Sequence, residues 1–204
     1  MTVVLLHGYD MDPGDLSPFA RSITVPALFL LPRGPLQSPS GKRAWWDVDL
    51  EARAQARALG PRDLADQYPA GVESARARLA RLLDDVRQTF ATPKLVVGGF
   101  SQGGMLACDA VLNGSITVDA LVLLSASRIR REAWERESGR LSGLPVFVSH
   151  GRRDTDLAFA AGEQLHAFVS AAGARTTWVP FDGGHEIPLI VWRNLRIFLR
   201  ALLD

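Results

Sequence analysis

Two short stretches carry the residue types of nucleophilic acyl transfer: Gly99-Phe100-Ser101-Gln102-Gly103, and far downstream Asp182-Gly183-Gly184-His185-Glu186-Ile187-Pro188. A serine hydroxyl is a weak nucleophile near neutral pH. It needs a base within hydrogen-bond reach and a third group that orients the base. G-x-S-x-G forms a nucleophile elbow when a strand turns so sharply into a helix that the central residue is held strained, with its side chain exposed. At ordinary glycine and serine frequencies the bare pattern turns up by chance in roughly one chain of this length in fifteen, so context decides. Here the apolar run Leu95-Val96-Val97 leads in, and Gly104-Met105-Leu106-Ala107-Cys108 continues as a helix.

Four histidines could supply the base. Hydrolases with this elbow place their triad in the chain order serine, acid, histidine. That order leaves His166, on a helical stretch, and His185, in a loop between a strand and the last helix; the loop position favours His185. His7 and His150 each sit in a His-Gly turn after a strand and are read as hydrogen-bonding backbone there. The acid should leave the end of a strand between nucleophile and base. Val146-Phe147-Val148-Ser149-His150-Gly151-Arg152-Arg153-Asp154-Thr155-Asp156 offers two carboxylates. Asp154 fits the G-x-x-D spacing, and Asp156 is the alternative, its other role being an N-cap before Leu157-Ala158-Phe159. Asp182 is too close to His185 in sequence to orient it. The oxyanion that forms on attack needs fixed donors. The backbone N–H groups of Gln102, after the nucleophile, and of Tyr9, in the turn His7-Gly8-Tyr9-Asp10, occupy the expected positions.

The elements that must position these groups are legible as periodicity. Apolar runs at Val3–Leu6, Ala27–Leu31, Lys94–Phe100, Ala120–Ser125, Val146–His150 and Thr176–Phe181 do not alternate, as strands buried on both faces do not. Between them Val72, Ala75, Leu79, Leu82, Leu83, Val86 and Phe90 share a helical face, with Arg76, Arg78, Arg81, Asp84, Asp85 and Arg87 largely opposite. Leu157, Ala161, Leu165, Phe168 and Val169 behave likewise, as do Val191, Leu195, Phe198, Leu199 and Leu202. This succession predicts one α/β domain over 1–204, with a mostly parallel, doubly wound sheet of about six strands. Two irregular stretches follow strands, Pro32–Gly60 and Ser127–Gly143, and are candidate walls of a pocket at the strands' carboxyl ends. Neither reads as a long amphipathic lid, which favours short acyl groups.

Composition narrows the function classes. The 204 residues are 47% hydrophobic and 22% charged, with 23 basic against 22 acidic side chains. A chain so balanced, with its arginines scattered, gives no nucleic-acid-binding face. The single cysteine, Cys108, precludes an intramolecular disulfide and any zinc site of paired thiolates; two turns beyond Ser101, it reads as a core residue. No apolar run approaches a membrane span, and the apolar start Val3–Leu6 is too short for a signal segment. A cytoplasmic protein is the expectation.

Taken together, Leu5-Leu6-His7-Gly8, Gly99-Phe100-Ser101-Gln102-Gly103-Gly104 and Leu144-Pro145-Val146 running to His150-Gly151 and Asp154, with Gly184-His185, resemble the phospholipase/carboxylesterase family of α/β-hydrolases. The resemblance spans nearly the whole chain. It implies a serine hydrolase of carboxylic esters or thioesters that uses no metal or cofactor. Ser101 would then be the nucleophile, Asp154 the acid, His185 the base, and the Tyr9 and Gln102 N–H groups the oxyanion hole. The family ordinarily has further sequence before its first His-Gly strand, so an N-terminal edge strand is expected to be absent. Its oxyanion turn usually has leucine where this chain has Tyr9. Arg43-Ala44-Trp45-Trp46-Asp47 resembles the family's covering-loop segment, so Trp45 or Trp46 would line the acyl channel. Thioester or amide cleavage and perhydrolysis are alternatives on the same triad; a hydrolase fold without catalysis is the alternative from another class.

Overall fold

The computed structural model describes residues 1–203. In chain order its elements are β1 (Thr2–Leu6), α1 (Pro13–Ser22), β2 (Leu28–Leu30), β3 (Leu36–Gln37), β4 (Arg43–Ala44), α2 (Leu50–Leu59), α3 (Val72–Thr89), β5 (Leu95–Phe100) and α4 (Gln102–Leu112). There follow β6 (Ala120–Leu124), α5 (Arg131–Arg136), a 3-10 turn at Ser138–Leu141, β7 (Pro145–Gly151), α6 (Phe159–Ala171), β8 (Arg175–Phe181) and α7 (Leu189–Ala201).

Six strands form one sheet in the order β2-β1-β5-β6-β7-β8, every neighbouring pair parallel. Alternate residues of each strand face opposite sides. Val4, Leu6, Val97, Leu121, Leu123 and Val148 pack against α3, α4 and α6, while Val3, Leu5, Val96, Val122 and Leu124 pack against α1 and α7. A strand that feeds two cores has no polar face to show, which is why the apolar runs are unbroken. After β1 the chain moves outward to β2, and after β5 it moves the other way to β6. The crevice at the carboxyl ends of β1 and β5 is therefore the topological switch point, where open parallel sheets bind ligands.

The structure changes three readings of the sequence. Pro32–Gly60 is not a bare loop: it contains the small antiparallel pair of β3 and β4 and the ten-residue helix α2, which has no buried residue and is capped by Asp49 accepting from Ala52 N at 2.9 Å. Ser127–Gly143 likewise contains α5 and the 3-10 turn. Arg76 belongs to the buried side of α3, not the solvated one. Its guanidinium donates to Asp109 on α4 at 2.8 Å, and Asp109 also accepts from Arg130 at 3.4 Å and from the Trp134 indole at 2.7 Å. A buried carboxylate needs such donors, and they lock α5 onto the helix that starts at the elbow.

Candidate active site

The turn from β5 into α4 has the strain expected of an elbow. Ser101 has φ 50° and ψ −115°, a region that costs a non-glycine residue on the order of 1–3 kcal/mol. Its N–H donates to Leu124 O at 2.8 Å and its carbonyl accepts from Met105 N at 3.1 Å. Glycine at 103 is required by contact: a Cβ there would stand 2.3 Å from Leu6 O. The elbow helix therefore rests directly on the backbone of β1. Ser101 remains half-buried at the cavity wall, and its hydroxyl has no hydrogen-bond partner among the described residues.

The acid and the imidazole are joined by a short bond. His185 Nδ1 lies 2.6 Å from Asp154 Oδ2, with the His185 side chain 19% exposed and that of Asp154 fully buried. The loop holding His185 is pinned to β7 by Arg152 N donating to Phe181 O at 2.8 Å and Arg153 N to Gly183 O at 2.9 Å. Gly151 permits that approach, since a Cβ would fall 2.2 Å from Gly184 O. The other oxygen, Asp154 Oδ1, accepts the N–H groups of Asp156 at 2.8 Å and Leu157 at 2.9 Å. Burial alone would raise the Asp154 carboxyl, but hydrogen bonds from His150, His185 and Leu157 and the nearby His185 charge outweigh it. The group is held well below the usual carboxylate range. The ring of Phe100, the residue before Ser101, lies 4.7 Å from the His185 ring, centroid to centroid. The elbow of β5 and the loops after β7 and β8 thus meet at one end of the sheet.

Asp156 does not face the imidazole, nor does it cap a helix: α6 begins at Phe159, after Ala158, and the turn N–H groups go to Asp154. Its carboxylate instead accepts Arg53 Nη2 of α2 at 2.5 Å and Arg62 Nη2 at 2.6 Å. Arg53 also lies over the Tyr9 ring at 5.4 Å. Arg53 thereby ties the unburied helix α2, and Arg62 the chain just after it, to the loop that bears Asp154. Only the fold shows what these guanidinium groups reach.

The remaining histidines have other partners. His7, wholly buried, has Nδ1 2.7 Å from Gly8 O, accepts Gly34 N at Nε2 at 2.9 Å and stacks on Trp45; burial lowers its pKa. His166 pairs with Thr176 Oγ1 at 3.2 Å and stacks on Trp178. His150 is wholly buried beneath Asp154. Cys108 is buried, which pushes its thiol far up. Among the described residues, no group of three or more His, Cys, Asp or Glu is placed to hold a metal ion, and no helix is long and apolar enough to cross a membrane.

Beside Ser101 opens a cavity of about 320 Å³. Its walls are largely apolar, from Trp46, Val48, Leu64, Met105, Ile129 and Leu157, with Ala52, Arg53 and Ala56 of α2 along one side. Trp46 lines it, as does Tyr9. Trp45 does not: its indole donates to His7 O at 2.9 Å and packs on the His7 ring, a supporting role behind the turn. The N–H groups of Tyr9 and Gln102 have no acceptor among the described residues, so both remain available to a ligand oxygen.

The Gln102 side chain has a role that no sequence pattern announced. Its Oε1 accepts Trp45 N and its Nε2 donates to Trp46 O, both at 2.9 Å, clamping the covering loop onto the elbow. Gln102→Leu strands two buried backbone groups and should cost about 2–3 kcal/mol, lowering Tm by several degrees. KM should rise while the backbone N–H persists. A thermal melt and a substrate titration check this; unchanged Tm and KM would show the clamp to be idle.

Residues 1–203 match the family model described as Phospholipase/Carboxylesterase. Over 195 residues the chain is 25% identical to acyl-protein thioesterase 1 of Eremothecium gossypii, covering 87% of this chain and 75% of that protein. The crystal structure of esterase PE8 superposes with TM-score 0.79 at 29% identity, covering 98% of this chain and 92% of that one. Zea mays acyl-protein thioesterase 2 has the same fold, with TM-score 0.79 at 21% identity over 100% of this chain and 94% of its own.

Proposed function

The chain belongs to the phospholipase/carboxylesterase family of hydrolases, and from that premise we propose that it cleaves carboxylic esters of short acyl groups through an acyl-enzyme on Ser101. The observation that carries this reading is the closed Asp154–His185 hydrogen bond, packed by Phe100 against the strained elbow. His185 Nε2 takes the Ser101 proton as the oxygen attacks the ester carbonyl. Asp154 holds the ring in the tautomer with the proton on Nδ1 and stabilises the imidazolium as it forms. The Tyr9 and Gln102 N–H groups receive the oxyanion. The alcohol leaves with the His185 proton, and water, deprotonated by the same nitrogen, releases the acid. Because only neutral imidazole is a base, activity falls on the acid side.

Acyl preference follows from volume. A cavity near 320 Å³ is at the small end of ligand pockets, which run from about 300 to 1,000 Å³. A series of p-nitrophenyl esters should give its highest kcat/KM with short acyl groups and decline beyond about eight carbons. A profile rising steadily to long chains would overturn that preference. The name of the Eremothecium relative supports thioester cleavage as the second reading. Matched acyl thioesters and aryl amides assayed alongside the esters distinguish it.

A further inference from the structure

We infer that His150 is a positioning residue for this reaction, a second imidazole set at the same Asp154 oxygen that meets His185. The inference rests on the triad reading above, and its starting point is a donor count. Asp154 Oδ1 is filled by two backbone N–H groups, and Oδ2 accepts His185. His150 Nε2 stands 3.3 Å from the same Oδ2 and 3.1 Å from Leu157 O. Both neighbours are acceptors, so the proton must be on Nε2, shared between them. The opposite nitrogen confirms that orientation. His150 Nδ1 is buried without a partner, on the side of the ring against Gly162, where a Cβ would come within 2.4 Å of it. A ring set with Nδ1 against bare backbone can donate only from Nε2, whose proton lies between Leu157 O and Asp154 Oδ2.

Oδ1 carries two backbone N–H groups and Oδ2 faces both imidazoles, which fixes the carboxylate's rotation and aims Oδ2 at His185. The shared proton of His150 also draws charge from Oδ2 and so limits how strongly Asp154 favours the His185 imidazolium. Around the His185 loop, Asp182 pairs with Arg152 at 3.9 Å, Arg153 donates to Asp182 O at 3.2 Å and Glu186 accepts from Gly184 N at 3.1 Å, while β5 presents only the Phe100 ring. Asp154 and, through it, His150 therefore set the field at the base.

Three measurements test this. Nitrogen–proton correlation spectra of the unaltered protein should show His150 protonated at Nε2 and bare at Nδ1; the reverse tautomer overturns the inference, whatever the nucleophile proves to be. His150→Leu keeps the apolar volume and should lower kcat about 10- to 100-fold with little change in KM. It should also move the acid limb of the kcat/KM profile upward by about half a pH unit. His150→Gln can return a donor amide to the place of Nε2 and should recover most of kcat and the original acid limb. A Leu variant with parental kcat and acid limb, or a Gln variant no better than Leu, overturns the inference. If the Leu variant does not fold, the Gln variant and the tautomer still decide. Loss of fluorophosphonate labelling of the parent would instead mark a failure of the Ser101 reading.

Discussion

Ser101→Ala is expected to lower kcat for an activated short-chain ester by about 10⁴- to 10⁶-fold, while leaving Tm within a few degrees of the parent. The size follows from what the residue supplies. Removing the hydroxyl removes the covalent route, and what survives is the residual catalysis of positioning and oxyanion donors acting on water. Folding should be spared, because the hydroxyl has no partner to lose among the described residues and the backbone bonds to Leu124 and Met105 do not depend on it. Alanine keeps the positive φ of the elbow and with it the strain. A fluorophosphonate should label the parent stoichiometrically and the variant not at all. A variant within tenfold of the parent, or one that still labels, would mean that another group attacks.

Asp154→Asn is expected to be nearly as damaging, about 10⁴-fold in kcat, and the reason is specific to this site. The two backbone N–H groups at Oδ1 require an acceptor, so the amide oxygen must stay there. The NH₂ group then faces His185 Nδ1, which must become an acceptor, and the imidazole proton moves to Nε2, the nitrogen needed as the base. The same NH₂ meets the proton on His150 Nε2, donor against donor. Asp156→Asn serves as the counterpart. It weakens the attraction for Arg53 and Arg62 and loosens α2 over the cavity, so KM should rise and Tm fall, with kcat staying within about tenfold. If the Asp156 variant instead lost kcat by orders of magnitude while Asp154→Asn did not, the acid would be misassigned.

Much of the site was legible in one dimension because its requirements are local. The elbow needs glycines around its serine and an apolar strand before it, and both are contiguous in sequence. The order of serine, acid and histidine is likewise a property of the chain. The six strands were visible because a sheet covered on both faces leaves no polar alternation to hide them. Less could be read where a partner is distant. Arg76 looked solvated because its carboxylate, Asp109, is 33 residues away. Asp156 looked like a cap because its arginines are 94 and 103 residues away. Trp45 and Trp46 are adjacent and alike, and which of them lines the cavity depends on where the backbone carries them.

By itself, then, the sequence determined the sheet, the elbow and the short set of groups able to perform acyl transfer, since hydrophobic period and turn chemistry act over a few residues. The tertiary structure alone decided which carboxylate meets His185, what Gln102 clamps, how α2 is fastened, and that His150 stands behind the acid. Those outcomes depend on hydrogen bonds between residues that no local pattern links, and such bonds are specified only when packing has fixed distances to within a few tenths of an ångström.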